Sequence, residues 1–228
     1  MKSNEDSKRK YVHNTVVHIA NKDGHYTLNG YGIKTVLCYV MAFLFNNSLV
    51  GKRFQFFTDG HRVLDKTILH HFNWYKNKGI ILDWFHLVKK CKEQLSLALN
   101  GRLNRNMVLS QIMPLLWVGL TDKAIASLKE VDDSVVKSPK AKEKLIDYLE
   151  RNRSNIPCYA IRKKLGLQNS SAIGEKMNDL LVSKRQKHNG MSWSKDGSVA
   201  LASITAIKRN GESKRWFSER ELDFKIAA

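Results

Sequence analysis

The chain has 228 residues, of which 43% are hydrophobic, so it can bury one large core or two smaller ones. Its 39 lysines and arginines against 21 aspartates and glutamates give a formal charge of +18, which predicts a polyanionic partner such as DNA, RNA or an anionic membrane surface. The most apolar run, Thr35 to Phe45, falls short of the roughly 20 residues that a membrane-spanning helix needs. The charged N-terminus lacks the apolar core of a secretion signal, so a cytoplasmic location is expected. The three cysteines have no CxxC spacing, which argues against a zinc site and a disulfide framework.

The first half of the chain predicts strands and helices in alternation. Polar and apolar residues alternate around Asp23-Gly24, which is typical of an antiparallel hairpin. Apolar residues from Ile33 to Leu44 predict a helix that ends at Asn46 and Asn47. The strand "RFQFFTDG", a helix from about Val63 to Phe72 and the strand "GIILDW" then form a parallel crossover appended to the hairpin. These elements predict an α/β fold with one mixed sheet.

From Asp83 onward the pattern is helical. Apolar residues from Trp84 to Ala98 recur at helical spacing, and Asn100-Gly101 marks the end of that helix. Ser138-Pro139 supplies a cap and a first turn for a later helix. The further predicted helices run from Met107 to about Leu120 with an interruption at Pro114, from Asp122 to Val131, from Pro139 to Arg151, over a short stretch ending at Gly166, from the cap Asn169 to Ser171 through about Ser183, and from about Ser198 to Lys208.

Two predicted strands end in an aspartate, Asp59 and Asp83. Ligands gather beyond the carboxyl ends of parallel strands, and carboxylates in that place suggest a hard metal such as Mg²⁺. The alternative is that each aspartate caps the following helix, since Asp is a favoured N-cap. For Asp83 the capping interpretation is favoured. For Asp59, whose neighbour Gly60 permits a close approach, both interpretations stay open.

A histidine and several basic residues surround these positions in sequence. His86 lies one turn after Asp83 and could meet its carboxylate or a phosphate, although a lone histidine at an aromatic helix start is commonly structural. Lysines off the apolar stripe usually form a solvated face, yet here they belong to an excess of positive charge that requires a partner. The candidate DNA-binding residues are Lys89, Lys90, Lys163, Lys164, Lys184, Arg185, Lys187 and His188.

Glu175 lies on the helix that follows Ser171. Ile173, Met177 and Leu180 form the apolar stripe of that helix, and Glu175 projects nearly opposite to it. The periodicity therefore predicts a solvated carboxylate. An active-site cleft is also solvated, so this position is compatible with a catalytic role.

Several ordered motifs resemble one known family. The runs "FFTDG", "ILDWFHLVKK", "YLERN…IPCYAIRKKLGL" and "NSSAIGEKMNDLLVSKRQKHNGMSWS" are similar to the DDE transposases of bacterial insertion sequences, in particular the ISLre type within the Mutator-like group. Asp83 to His86 resembles the aspartate-two-residues-histidine signature that follows the second catalytic aspartate of those enzymes. The likeness runs from about Tyr11 to near the C-terminus.

The resemblance implies a ribonuclease-H-like fold with a large all-helical insertion. Residues 11–99 and 167–210 would form the catalytic core, residues 100–166 the insertion and residues 211–228 a C-terminal tail. Asp59 and Glu175 would be the second and third catalytic carboxylates and would hold Mg²⁺ or Mn²⁺. Two such ions about 4 Å apart would activate a water or a DNA 3′-hydroxyl for attack on a phosphodiester. The implied partners are the transposon ends and the target DNA at the bacterial nucleoid, with no membrane. A homo-oligomer is also compatible with the sequence, which does not specify the oligomeric state.

The chain departs from the family pattern at its start. The first catalytic aspartate of the family precedes the hairpin on a strand of its own, and here only Glu5 and Asp6 precede the hairpin, in a polar run. We therefore expect a partial catalytic core that lacks the first strand, with its activity lost. Two alternatives are a non-catalytic DNA-binding remnant that regulates a full-length copy and a basic RNA-binding protein. The RNA-binding alternative is disfavoured because the sequence shows neither the aromatic platform nor the glycine-rich loop that RNA-binding modules display.

Overall fold

A computed structural model describes residues 12–187 and 192–226 of the chain. The fold is mixed α/β with mainly helical residues. The strands are β1 (Asn14–Ala20), β2 (His25–Tyr31), β3 (Phe54–Thr58) and β4 (Lys78–Leu82). The helices are α1 (Ile33–Asn46), α2 (Arg62–His71), α3 (Trp84–Ala98), α4 (Gly101–Trp117), α5 (Thr121–Lys129), α6 (Pro139–Arg151), α7 (Tyr159–Lys164), α8 (Ala172–Asn178), α9 (Lys184–Gln186), α10 (Lys195–Arg209) and α11 (Ser213–Glu219).

The chain divides into two compact units. The terminal unit combines the described residues of Met1–Lys52 and of Ala172–Ala228, and the central unit is Arg53–Ser171. β1 and β2 pair antiparallel in the terminal unit, and β3 and β4 pair parallel in the central unit. The hairpin and the parallel crossover predicted from the sequence are thus confirmed. The expected single mixed sheet is wrong for the described strands, which form two two-stranded sheets. Turn signals and strand periodicity specify pairing between neighbours in sequence, and they carry no information about how two such pairs combine.

The terminal unit packs helices from both ends of the chain against the hairpin. α1 and α10 both contact β2, whose Tyr26, Thr27 and Leu28 are buried. The side chain of Asn210, at the end of α10, accepts a hydrogen bond from the N–H of Thr27 and donates one to its carbonyl oxygen. Because both hydrogen-bonding groups of this buried amide are satisfied by Thr27, they fix the position of the end of α10 against the hairpin.

The central unit is built around one apolar cluster. α3 packs against α4 and α6, and α5 packs against α4 and α6. The fully buried side chains of this cluster include Leu82, Leu87, Cys91, Leu95, Ile112, Leu116, Leu128, Leu145 and Tyr159. The predicted helical insertion, residues 100–166, lies within this unit together with β3, β4 and α3.

Most helix limits agree with the sequence pattern, and one differs by six residues. Ser138 caps α6 by accepting a hydrogen bond from the N–H of Ala141, as predicted. α4, however, begins at Gly101 and not at Met107, and it contains Pro114 without ending there. Asn100 occupies the N-cap position of α4, so the Asn-Gly signal that ends one helix also opens the next. The tail also contains the short helix α11, which the sequence pattern did not predict.

The helices of the described residues include none whose length and apolar content would let it cross a membrane.

Candidate nucleic-acid interface

The parallel strands of the central unit deliver both candidate aspartates to one end of their sheet. Thr58 of β3 pairs with Leu82 of β4, so the next residues, Asp59 and Asp83, follow at matching positions. The N–H of Asp83 donates to the carbonyl oxygen of Thr58 over 2.8 Å. The carboxyl end of this strand pair is therefore the natural place to look for a site.

Asp83 is a helix cap, which confirms the favoured interpretation. Its side chain is 1% exposed. Its Oδ1 accepts a hydrogen bond from the N–H of His86 over 2.8 Å and lies 3.2 Å from Nδ1 of the same histidine. Its Oδ2 accepts from the N–H and from the hydroxyl of Ser171. Both oxygens are thus engaged in ordering the start of α3 and the segment before α8.

Asp59 is exposed, in contrast to Asp83. Its Oδ1 accepts a hydrogen bond from the N–H of His61, and α2 has no side-chain cap at its start, so Asp59 does not cap that helix. Gly60 has a φ of 77°, and a Cβ atom there would lie 2.9 Å from Leu82 and 3.0 Å from the Tyr148 hydroxyl. The atoms that come close to the Gly60 backbone are therefore core side chains of the central unit.

An open cleft of about 470 Å³ lies beside Asp59 in the central unit. Its walls come from the loop after β3 and the start of α2, from one face of α3 and from the end of α6. The lining residues are Asp59, Gly60, His61, Arg62, Val63, His86, Lys89, Lys90, Glu93, Tyr148 and Arg151. Four of them are lysine or arginine and two are carboxylates, so the cleft favours anions.

Helical periodicity explains why α3 contributes to the cleft. His86, Lys89, Lys90 and Glu93 follow one another at spacings of three, one and three residues and so share a face. The opposite stripe of α3, which contains Leu87, Cys91 and Leu95, is buried in the core of the central unit. Burial raises the pKa of the Cys91 thiol to about 12. The lysines therefore face the cleft because the apolar stripe points the other way.

Tyr148 is the buried floor of this cleft. Its hydroxyl donates a hydrogen bond to the carbonyl oxygen of Asp59 over 3.1 Å. The Arg151 guanidinium carbon lies 5.6 Å from the centroid of its ring, and the Lys90 ammonium lies 6.0 Å from the same centroid. Burial raises the pKa of the Tyr148 hydroxyl further above neutral pH, in agreement with its role as a donor.

A second carboxylate lies close to Asp59. Asp65, in the first turn of α2, is partly buried, and burial raises its pKa, with the charge of Asp59 acting in the same direction. Asp65, His61, Arg62 and Arg151 were not predicted from the sequence as site residues. His61 and Arg62 directly follow the strand-end motif Asp59-Gly60, so that motif could have indicated them. Arg151 lies 92 residues beyond Asp59, and no local signal connects the two.

The other basic candidates of the central unit lie on α7. Lys163 and Lys164 are exposed. Arg162, beside them, is 8% exposed and donates to the carbonyl oxygen of Gln168 and to the side chains of Gln55 and Asn169. Burial lowers the pKa of this guanidinium. Arg162 is therefore a structural residue that orders the segment after α7, and its two neighbours are the residues available to a partner.

The remaining candidates belong to the terminal unit. Glu175 is exposed on α8, as its periodicity predicts. Lys184 forms an ion pair with Asp179 at 3.5 Å. Arg185 and Lys187 are exposed, and His188 lies outside the described residues. Asp59, His86, Lys89 and Lys90 are thus the candidates that line one cleft.

Comparison of the chain with protein-family models, with curated proteins and with solved structures finds no match.

Proposed function

We propose that the chain binds DNA and that it is the partial catalytic core of a DDE transposase with a ribonuclease-H-like ancestry. The observation that carries this proposal is the cleft beside Asp59, where a strand-end carboxylate lies among Lys89, Lys90 and two arginines. Carboxylates at strand ends hold metal ions, and clustered cations neutralise phosphates. DNA is the polyanion on which a site of this composition would act. The formal charge of +18 supports the same partner.

On this proposal Asp59 is the strand-end carboxylate of the cleft that would hold a divalent metal. Asp59 is exposed, and its Oδ1 accepts a single backbone hydrogen bond. Asp83 is buried with both oxygens engaged. When bound, Mg²⁺ or Mn²⁺ would polarise a phosphodiester and activate the attacking oxygen. Lys89 and Lys90 would hold the phosphates of the DNA beside that point.

A second candidate function is DNA binding without catalysis, as expected of a regulator of a full-length transposase. The exposed cations of the cleft, such as Lys89 and Arg151, favour this candidate, because they can bind phosphates without any metal ion. Both candidates require the same binding surface. They differ only in whether bound DNA is cut.

The test of DNA binding is a mobility-shift titration of duplex DNA over a series of salt concentrations. We expect binding with little sequence preference and an affinity that falls steeply as salt rises. The logarithm of the binding constant should fall with the logarithm of the salt concentration by a slope of about 0.9 per neutralised phosphate. Two unrelated duplexes of equal length serve as each other's control for sequence preference. A chain that fails to bind at low salt, or whose affinity hardly responds to salt, would contradict the proposal.

A further inference from the structure

The end of α6 contributes charge to the cleft beside Asp59. Tyr148 and Arg151 are one turn apart on this helix and both line the cleft. The Tyr148 hydroxyl donates to the Asp59 backbone, and two cations, Arg151 and Lys90, lie within about 6 Å of the centroid of its ring. The ring thus brings one cation from α6 and one from α3 to the same side chain.

The lysines and arginines of the cleft form no ion pair within the described part of the chain. Of the ion pairs that the described residues form, none includes Arg62, Lys89, Lys90 or Arg151. The nearby Arg153, by contrast, pairs with Asp122 at 2.8 Å. The four lysines and arginines of the cleft outnumber its two carboxylates, so an anionic ligand that lies among them is stabilised.

We infer that Arg151 and Lys90, held against Tyr148, bind a phosphate group of the DNA backbone, so that α6 supplies one wall of the DNA-binding site. This inference rests on the proposed function and assigns a binding role to the segment that was predicted as a helical insertion. The planar guanidinium of Arg151 suits two hydrogen bonds to one phosphate, and Lys90 adds a point charge from the facing helix. Arg62, at the start of α2, lies on the remaining wall.

The experiment compares Arg151→Gln with Arg153→Gln. Each variant removes one positive charge. Arg151 ends α6 and Arg153 lies two residues further along the chain, but only Arg151 lines the cleft. Binding of one labelled duplex is measured over a salt series. For Arg151→Gln we expect roughly tenfold weaker binding and a salt slope that is smaller by about 0.9. For Arg153→Gln we expect a change of less than about twofold in affinity.

A second pair keeps the inference testable if Arg151→Gln does not fold, which circular dichroism reports. Lys90→Gln should weaken binding, whereas Lys92→Gln, on an exposed part of α3 outside the cleft, should not. Competition by free pyrophosphate and by an RNA duplex shows whether the site is selective for DNA. Selective displacement by pyrophosphate would assign the site to free phosphate compounds and would overturn the assignment to DNA.

The outcomes separate this inference from the proposed function. Equal losses in the two arginine variants would show that affinity follows net charge, and the inference would fail while DNA binding stands. Absence of DNA binding by the unaltered chain would instead remove the proposed function itself. A loss confined to Arg151→Gln and Lys90→Gln supports both.

Discussion

At the scale of single residues, the most constrained position beside the cleft is Gly60. Its φ of 77° lies in the left-handed region, which L-residues with a Cβ atom rarely adopt. A methyl group added at Gly60 would have its three nearest atoms in Leu82, Tyr148 and Asn152, all of which are buried. A side chain at this position would therefore meet both a backbone penalty and a full core.

Gly60→Ala should lower the free energy of unfolding by about 3 kcal/mol, from the left-handed backbone and from overpacking together. Gly166→Ala is the matched control, since Gly166 has a φ of 68° but no atom within 4 Å of the added methyl group. In the control the free energy of unfolding should fall by only about 1 kcal/mol, which is the cost of the left-handed backbone alone. Denaturant titration of both variants measures the difference. Equal losses would show that the space beside Gly60 is open.

Asp65 makes the stability of the chain depend on pH. Its pKa is raised by burial, so the folded chain holds this proton more tightly than the unfolded chain does. Ionisation of Asp65 therefore lowers the free energy of unfolding as the pH rises from the ordinary value of about 3.9 through the raised one.

Asp65→Asn should accordingly raise the melting temperature at pH 7, and the gain should shrink as the pH falls below about 4, where Asp65 is protonated in both states. Thermal unfolding of both chains over this range gives the comparison. Asp147→Asn, at an exposed position on α6, is the control for the loss of one negative charge. A gain of the same size at every pH, or the same gain in the control, would show that burial of Asp65 is not its cause.

At the scale of elements, the structure explains which parts of the fold the sequence predicts. The hairpin, the crossover and α6 follow from local signals, namely Asp23-Gly24, strand periodicity and the Ser138-Pro139 pair. The grouping of the elements into units cannot be predicted from local signals. For example, α10 contacts the hairpin through Asn210 and Thr27, which are 183 positions apart in sequence. The same reason hid Arg151 from the candidate site, whereas His86 and the lysines of α3 were found because they lie within ten residues of Asp83.

The C-terminal segment shows how a polar stretch is ordered by long-range contacts. Glu212, which is 7% exposed, accepts hydrogen bonds from the Tyr26 hydroxyl and from the N–H groups of Asp223 and Phe224. The Phe224 ring packs edge-on against Phe43 and Tyr26, at centroid distances of 5.3 and 5.6 Å. A buried carboxylate and an aromatic contact thus hold the segment to the terminal unit.

Phe224→Ala should therefore lower the free energy of unfolding by roughly 2 kcal/mol, less than a fully buried phenylalanine would lose because Phe224 is half-buried. Lys225→Ala, at the exposed neighbouring position, should change it by less than about 0.5 kcal/mol. Denaturant titration of the whole chain measures both. Equal stability of the two variants would mean that the segment contributes nothing to the fold.

At the scale of the whole molecule, the formal charge of +18 predicts a polyanionic partner, and whether bound DNA is also cut depends on the carboxylates that hold a metal. A two-metal centre needs several carboxylates to hold ions about 4 Å apart. The proposed transposase function would use two carboxylates of this chain, Asp59 and Glu175. The structure places Asp59 in the central unit and Glu175 in the terminal unit, and it commits Asp83 to capping α3.

We therefore expect DNA that is incubated with the chain and Mg²⁺ or Mn²⁺ to be bound but nicked no faster than without protein, because partial coordination leaves a metal ion weak or misplaced. A supercoiled plasmid is a sensitive substrate, since one nick changes its mobility on a gel. The control is Asp59→Ala, which should bind DNA at least as tightly because it removes a negative charge from the cleft. Metal-dependent nicking that is lost in Asp59→Ala would show a complete catalytic site, and the chain would then be an active nuclease with Asp59 as a metal ligand.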